Sequence, residues 1–301
     1  VAGPIERGRH LLPQFERPAR ITRAMLDEGL WLMLWGLFKK VVLADNLAPL
    51  VDMVYQSDTG SGPAVLLGAV AFALQIYCDF SGYSDIARGT AAVLGFDIMV
   101  NFNLPYAATN PREFWQRWHI SLSTWLRDYL YISLGGNRRG PGRTYLNLLT
   151  TMFLGGLWHG AAWNFVLWGL WHGIGLAVHR AFLANRPLGI ANRQSPIAPH
   201  LWARLAGWAA TMAFVLYGLL LFCARSVDQI VALTRALGNW AAPAWLGSFA
   251  IHLAAFALPL LTIELWQYRR RDLLAPLRLS RWPRAVLQAA LLLAIAMYWE
   301  K

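Results

Sequence analysis

The chain has 301 residues, of which 57% are hydrophobic and 14% charged, and its mean hydropathy is +0.38. Soluble domains average about 45–50% apolar and about 25% charged residues, so this composition excludes an ordinary soluble domain, a disordered chain and a collagen-like fibre. It indicates a protein that is embedded in a lipid bilayer. The net charge of +11 lies in short basic tracts between apolar stretches, as in the loops of membrane proteins, and we therefore expect no nucleic-acid partner.

Six apolar stretches follow one another along the chain: Leu30–Leu50, Ala64–Cys78, Tyr145–Val178, Leu205–Ala224, Trp245–Trp266 and Ala285–Trp299. A helix needs about 20 apolar residues to cross the hydrocarbon core of about 30 Å, and Leu205–Ala224 and Trp245–Trp266 meet this requirement most clearly. The sequence therefore predicts an all-α, polytopic transmembrane protein. Because it shows no internal repeat, and because no long linker separates the stretches, we expect one membrane domain over residues 1–301.

Charged residues stand within or beside the first two stretches. Lys39 and Lys40 lie in the middle of an apolar run, and we expect them to snorkel towards the membrane interface. Asp79 and Asp85 follow the second stretch, where we expect them to form caps at a polar, turn-rich corner. Two carboxylates offer too few oxygens for a calcium site, and two cysteines cannot form a metal cluster, so the sequence predicts no metal site.

Three basic tracts separate the later stretches: 138–143, 180–204 and 269–284. Cytoplasmic loops carry the Lys/Arg excess of membrane proteins, so these tracts are predicted to face the cytoplasm, while Asp52, in a loop at 44–63 without a base, faces outside. Because basic tracts flank Tyr145–Val178 on both sides, this stretch must enter the membrane and return. As two halves, each would be too short to cross, which predicts a broken, re-entrant or steeply tilted pair that turns at residues 155–160 in a cavity.

The segment Pro111–Leu134 begins with a proline at a helical start and mixes aromatic with charged residues. It is too polar to face lipid along its whole length. We therefore expect a helix that lies at the interface or lines the cavity.

Three of the seven histidines each follow a tryptophan: His119, His159 and His172. Glycine follows the last two, which allows close backbone approach, and histidines at membrane depth are functional candidates. We predict a functional role for His159, whereas a packed or interfacial ring is the alternative for His172. The other four lie in basic loops or alone on an apolar stretch, and no role is predicted for them: His10, His179, His200 and His252.

The tract GGLWHGAAWNFVLWGLWHG at residues 155–173 is similar to the signature of the membrane-bound O-acyltransferase family. Five further tracts resemble, in the same order, the bacterial branch of that family that acetylates alginate: Val1–Arg7, Leu37–Asn46, Gln75–Arg88, Phe114–Asp128 and Leu134–Arg143. The resemblance implies transmembrane helices around a central catalytic cavity. It also implies that transmembrane spans which precede the first tract in relatives are absent here.

Residue by residue, the resemblance makes His159 the catalytic histidine and His119 the second polar residue of the active site. A neutral imidazole, with a reference pKa of about 6.5, suits a base that removes a hydroxyl proton as the oxygen attacks a thioester. His119 would orient the acceptor or polarise the carbonyl; a hydrogen-bonded histidine on an amphipathic helix is the alternative. Trp158, Asn164 and His172 are expected to contact substrate.

Three arginines stand in the glycine-rich loop before the signature tract: Arg138, Arg139 and Arg143. Guanidinium forks suit phosphate, and the loop is predicted to face the cytoplasm, so we expect these arginines to meet the phosphates of acetyl-CoA. A positive-inside loop without any ligand is the alternative.

The resemblance implies an enzyme of the bacterial inner membrane that moves an acetyl group from cytosolic acetyl-CoA towards hydroxyls of an extracytoplasmic polysaccharide of the alginate type. It further implies a periplasmic acetyltransferase partner of hydrolase-like fold and no tightly bound cofactor. Peptidoglycan acetylation and D-alanyl transfer remain open within the family. A channel or carrier is an alternative of another class, although a transporter should show paired broken helices and only one interrupted segment is visible.

Overall fold

The computed structural model describes residues 3–16, 20–57, 60–184 and 201–299. These residues form helices and turns without a β-strand, which confirms the all-α prediction. The α-helices are α1 (Gly8–Phe15), α2 (Arg23–Leu37), α3 (Asp45–Tyr55), α4 (Gly62–Val93), α5 (Pro111–Arg117), α6 (Ile120–Trp125), α7 (Gly140–His159), α8 (Trp163–Ala184), α9 (Leu201–Cys223), α10 (Val227–Ala236), α11 (Leu246–Arg270) and α12 (Arg281–Tyr298). His200 and the middle of the 180–204 tract lie outside the described residues.

The described chain forms two compact units, one from residues up to 103 together with those from 235 onward, and the other from residues 104–234. Among the described residues, three helices are long and apolar enough to cross a membrane: α4, α9 and α11. The last two confirm the stretches at 205–224 and 245–266. Helix α4 corrects the second stretch, because it continues well beyond Cys78. A single membrane domain over residues 1–301 stays a prediction.

In the first unit, helices α2 and α4 touch through glycines spaced seven residues apart. A Cβ atom on Gly36 would lie 2.5 Å from the carbonyl oxygen of Gly82, and one on Gly89 would lie 2.5 Å from that of Gly29. Seven residues are close to two helical turns, so the glycines of each helix share one face. Without side chains there, the two backbones approach as closely as in membrane helix pairs with small residues at the interface.

Beside this contact, an ion pair with a buried lysine and a partly buried aspartate links the two helices. Helix α2 continues into a π-helical segment, Phe38–Ala44, in which Lys39 is only 2% exposed. Its Nζ donates to Asp85 Oδ2 at 2.7 Å and to Ser81 Oγ at 2.9 Å. Lys39 therefore does not snorkel, and Asp85 neither caps a helix nor stands at a turn: it lies inside α4. Both expectations were wrong, because the partner of each charge is remote in sequence.

The neighbouring Lys40 forms two ion pairs, and both are exposed. Lys40 contacts Asp45 at 2.7 Å and Asp79 at 2.8 Å, and about half of each side chain is accessible. Asp79, like Asp85, lies within α4 rather than at its end. Exposed ion pairs contribute about 0–1 kcal/mol, so the buried pair should dominate the electrostatic contribution to this contact.

Asp85→Asn should lower the free energy of unfolding by about 3–5 kcal/mol, because it leaves the buried ammonium of Lys39 without its counter-ion. The double variant Lys39→Met, Asp85→Leu should recover most of this loss, since apolar side chains replace both charges. Thermal unfolding in detergent micelles measures the change. Asp79→Asn is the matched control, with an expected loss below about 1 kcal/mol. Equal losses for the Asp79 and Asp85 variants would contradict the prediction.

In the second unit, α7 and α8 form an antiparallel hairpin. Helix α7 ends at His159 and α8 begins at Trp163, which confirms the predicted break. The halves are longer than expected, 20 and 22 residues, or about 30 Å each, because α7 begins at Gly140 and α8 continues to Ala184. A Cβ atom on Gly156 would lie 2.2 Å from the carbonyl oxygen of Phe165, so these helices also touch backbone to backbone.

Candidate active site

Helix α5 begins with a reciprocal cap. Asn110 Oδ1 accepts the backbone N–H of Glu113 at 2.9 Å, and Glu113 Oε2 accepts the N–H and hydroxyl of Thr109 at 2.8 and 2.9 Å. Arg117 donates to the other oxygen of Glu113. Burial alone would raise the pKa of Glu113, but the hydrogen bonds from Thr109 and Arg117 lower it. This network of capping and ionic contacts fixes the helix that leads to His119.

His119 breaks the segment that the sequence predicts as one helix. Its backbone is left-handed, with φ 42° and ψ 55°, so α5 ends at Arg117 and α6 starts at Ile120. For a residue other than glycine this conformation costs about 1–2 kcal/mol, and such strain clusters at functional sites. The His119 side chain is buried, and its Nδ1 lies 3.4 Å from Ser121 Oγ.

His159 is the last residue of α7, and aromatic rings from two other helices surround its ring. The ring centroid lies 5.1 Å from that of Trp168 on α8 and 5.0 Å from that of Phe222 on α9, both edge to face. Phe165 lies at 6.1 Å. These rings shield part of the imidazole from water, and the ring of Phe165 also covers Gly160, where a Cβ atom would lie 2.8 Å from it.

The ring of Trp158 contacts both candidate catalytic residues. Its centroid lies 5.0 Å from that of His159 and 6.5 Å from that of His119. The two histidines, which are far apart in sequence, are therefore brought to one aromatic ring. Burial, and then the positive charge that His159 can carry, lower the pKa of His119 to about 4, so His119 is neutral at pH 7.

His172 belongs to a neighbouring ring cluster rather than to the immediate surroundings of Trp158. It is 2% exposed, and its ring lies 4.9 Å from Trp168 and 5.1 Å from Trp115. Within the described residues, these three rings each hold a buried nitrogen without a hydrogen-bond partner, Nδ1 of His172 and Nε1 of both tryptophans. Orphaned polar groups are rare in folded proteins and require an explanation. The expectation that His172 contacts substrate stays a prediction.

Asn164 has a structural partner. Its Nδ2 donates to the backbone carbonyl of Phe222 at 3.2 Å, which ties α8 to the end of α9 that carries the ring beside His159. Asn164, Trp168 and His172 stand at intervals of four residues and share one face of α8. This spacing is the signal through which Trp168, absent from the predicted site, could be found in the sequence. Phe222 and Trp115 have no comparable local signal.

The three arginines of the loop lie away from the histidines. Arg138, Arg139 and Arg143 are exposed at the start of α7 and in the turn before it. His159 ends the same helix, about 24 Å along the axis from Arg143. The structure thus brings His119, His159 and Trp158 together and leaves the arginines at the other end of α7. Contact with phosphate by these arginines stays a prediction.

Comparison with known proteins gives the family of this chain. The model of the membrane-bound O-acyltransferase family matches residues 1–189. The chain belongs to this family. The match confirms the resemblance drawn from the sequence tracts and includes both candidate histidines.

The names of curated relatives give different acceptors of the acyl group. The chain is 46% identical over 244 residues to the probable alginate O-acetylase AlgI of Azotobacter vinelandii, a match that covers 80% of this chain and 46% of the relative. It is 36% identical over 240 residues to the peptidoglycan O-acetyltransferase of Helicobacter pylori, covering 79% and 44%. It is 29% identical over 240 residues to the teichoic acid D-alanyltransferase of Streptococcus thermophilus, covering 74% and 58%. The chain spans about half the length of the curated relatives it matches.

Gly156→Ala should destabilise the hairpin by about 1–3 kcal/mol, because the new methyl group must displace the backbone of α8. Gly142→Ala in the same helix is the matched control, since nothing lies within 4 Å of a Cβ atom there and alanine favours a helix by up to about 1 kcal/mol. Melting temperatures in detergent micelles should therefore move in opposite directions. A Gly156→Ala variant that is as stable as the wild type would contradict close contact at Gly156.

Proposed function

We propose that this chain carries the catalytic histidines of a membrane O-acyltransferase that moves an acetyl group from acetyl-CoA towards hydroxyls of an extracytoplasmic polysaccharide of the alginate type. The observation that carries the proposal is the placement of His119 and His159 against the ring of Trp158. Family membership favours an enzyme over a channel or carrier. The higher identity to alginate O-acetylases than to the peptidoglycan and teichoic acid enzymes favours the alginate-type acceptor.

In the proposed reaction, His159 acts as the general base. It takes the proton of an acceptor hydroxyl while the oxygen forms a bond to the thioester carbonyl carbon. The carbon–sulfur bond then breaks, and the proton passes to the departing sulfur, so that the products are an ester and a free thiol. The surrounding rings of Trp168 and Phe222 exclude water, which would otherwise hydrolyse the thioester.

His119 acts as a neutral hydrogen-bonding group in this scheme. Its pKa of about 4 means that it carries no charge at neutral pH. A neutral imidazole can donate one hydrogen bond and accept one, which suits a residue that orients the acceptor hydroxyl or polarises the carbonyl. The surrounding contacts that impose the strained backbone at His119 also hold its ring in place before substrate arrives.

The remaining parts of the proposal concern location and partners. The enzyme would lie in the bacterial inner membrane, with the tracts around Arg139 and Arg270 in the cytoplasm and Asp52 outside. Acetyl-CoA would be a substrate, with no tightly bound cofactor. A periplasmic acetyltransferase of hydrolase-like fold would complete transfer to the polysaccharide.

His159→Ala should lower acetyl transfer by about 10²–10⁴-fold, because the general base is lost. Transfer of radiolabelled acetyl groups in membrane vesicles that contain the full-length protein measures this, at matched abundance. His252→Ala is the control, because His252 is an exposed histidine bonded to its own helix at Ser248. Activity that survives in the His159 variant would refute the assignment of the base.

His119→Asn should retain more activity than His119→Ala, since asparagine keeps a hydrogen-bonding group and tolerates the left-handed backbone. His119→Gly separates these effects: glycine accepts the conformation, so low activity would show that the hydrogen bond matters. Because the pKa of His119 lies near 4, protonation affects it only as the pH falls towards that value. The pH profile of the Asn variant should therefore match the wild type from about pH 5.5 to 8, and a displaced profile would contradict a neutral His119.

A further inference from the structure

The last turn of α11 and the chain that follows it enclose a basic cleft. The cleft has a volume of about 480 Å³, and the side chains that line it include Trp266, Arg270, Arg271, Asp272 and Arg278. Three arginines and one aspartate thus line the same space. Neither the acyl-transfer site nor the arginines of the loop before α7 belong to this cleft.

The charges in the cleft do not cancel. Asp272 accepts a hydrogen bond from Arg278; burial would raise the pKa of Asp272, but this contact lowers it, so the carboxylate is ionised at neutral pH. In the part of the chain that the structure describes, Arg270 and Arg271 form no salt bridge. The end of a helix carries about half a negative charge, which offsets only part of two guanidinium groups. The cleft therefore favours an anion.

Arg271 stands where a helix usually ends with glycine. Its backbone is left-handed, with φ 53° and ψ 37°. Its N–H donates to the carbonyl of Tyr268 at 3.2 Å, and the N–H of Asp272 donates to that of Gln267 at 3.1 Å. Glycine adopts this C-terminal cap without strain. The cap itself therefore does not explain why residue 271 is an arginine. A role of its guanidinium group in the cleft would explain it.

We propose that this cleft binds the phosphate of an anionic membrane lipid. Guanidinium forks match the oxygens of a phosphate in pairs. Helix α11 is long and apolar enough to cross a membrane, so its end lies at the depth of the headgroups. Trp266, half-buried at that end, is of the residue type enriched there. A soluble phosphate ester offers the same chemistry, and the experiment separates the two sources.

The experiment measures the melting temperature of the chain in dodecyl maltoside micelles during titration with phosphatidylglycerol or phosphatidylcholine. Phosphatidylglycerol should raise the melting temperature of the wild type, and phosphatidylcholine should not. Arg271→Gly should raise the melting temperature without lipid by about 2–4 °C, because glycine relieves the strained cap. The same variant should bind phosphatidylglycerol about tenfold more weakly, because one charge-assisted contact is lost. Opposite effects on stability and binding exclude misfolding as the cause.

Arg269→Ala is the matched control, because it removes the same charge from the same helical turn without lining the cleft. Its affinity for phosphatidylglycerol should change by less than about twofold, since a charge outside the cleft acts only through screened solvent. Equal weakening in both variants, or an equal response to phosphatidylcholine, would overturn the proposal. The proposal would also be overturned if adenosine 3′,5′-bisphosphate stabilised the protein in a way that depends on Arg271 while phosphatidylglycerol did not. None of these outcomes bears on acetyl transfer, so the two proposals fail independently.

Discussion

Direct contact between helix backbones at glycines sets the helix spacing within each unit. Lipid offers no hydrophobic driving force between helices, so their association depends on van der Waals contact and hydrogen bonds. A Cβ atom would lie only 2.5 Å from the facing carbonyl at Gly36 and 2.2 Å at Gly156. In the α7–α8 hairpin, this spacing decides which rings meet: His159 and Trp168 come from opposite helices, and their distance follows from how closely the backbones approach.

Buried polar groups are handled differently in the two units. The ammonium of Lys39 finds both a carboxylate and a hydroxyl, so the cost of burying its charge is compensated locally. The ring nitrogens of Trp115, Trp168 and His172 find no partner within the described residues. An unsatisfied buried group costs about 1–3 kcal/mol. Such a cost at three adjacent rings, one of which contacts His159, requires an explanation and supports the proposal that this part of the second unit is functional.

Local sequence patterns correctly predicted the structural elements that depend on residues close to one another in sequence. The break between α7 and α8 follows from glycines and from basic tracts on both sides, and both signals are visible in the sequence. The sequence predicted too short a second stretch, because Asp79 and Asp85 resemble the polar end of a helix. The partner of Asp85 is Lys39, 46 residues earlier, and this pairing is not visible in the local sequence. The left-handed backbone at His119 could not be predicted, because no glycine stands at that position. Long-range partners and strained conformations were therefore the features that sequence could not supply.

The two candidate catalytic histidines stand at opposite kinds of helix end. His159 is the final residue of α7, where unpaired carbonyls carry a partial negative charge that favours a cation on a nearby ring. His119 precedes the first turn of α6, where unpaired N–H groups carry a partial positive charge that disfavours one. Only interactions that strengthen as charge develops accelerate a reaction. Proton transfer to His159 would create a positive charge at a helix end whose carbonyls favour it, which supports the proposal that His159 rather than His119 is the base.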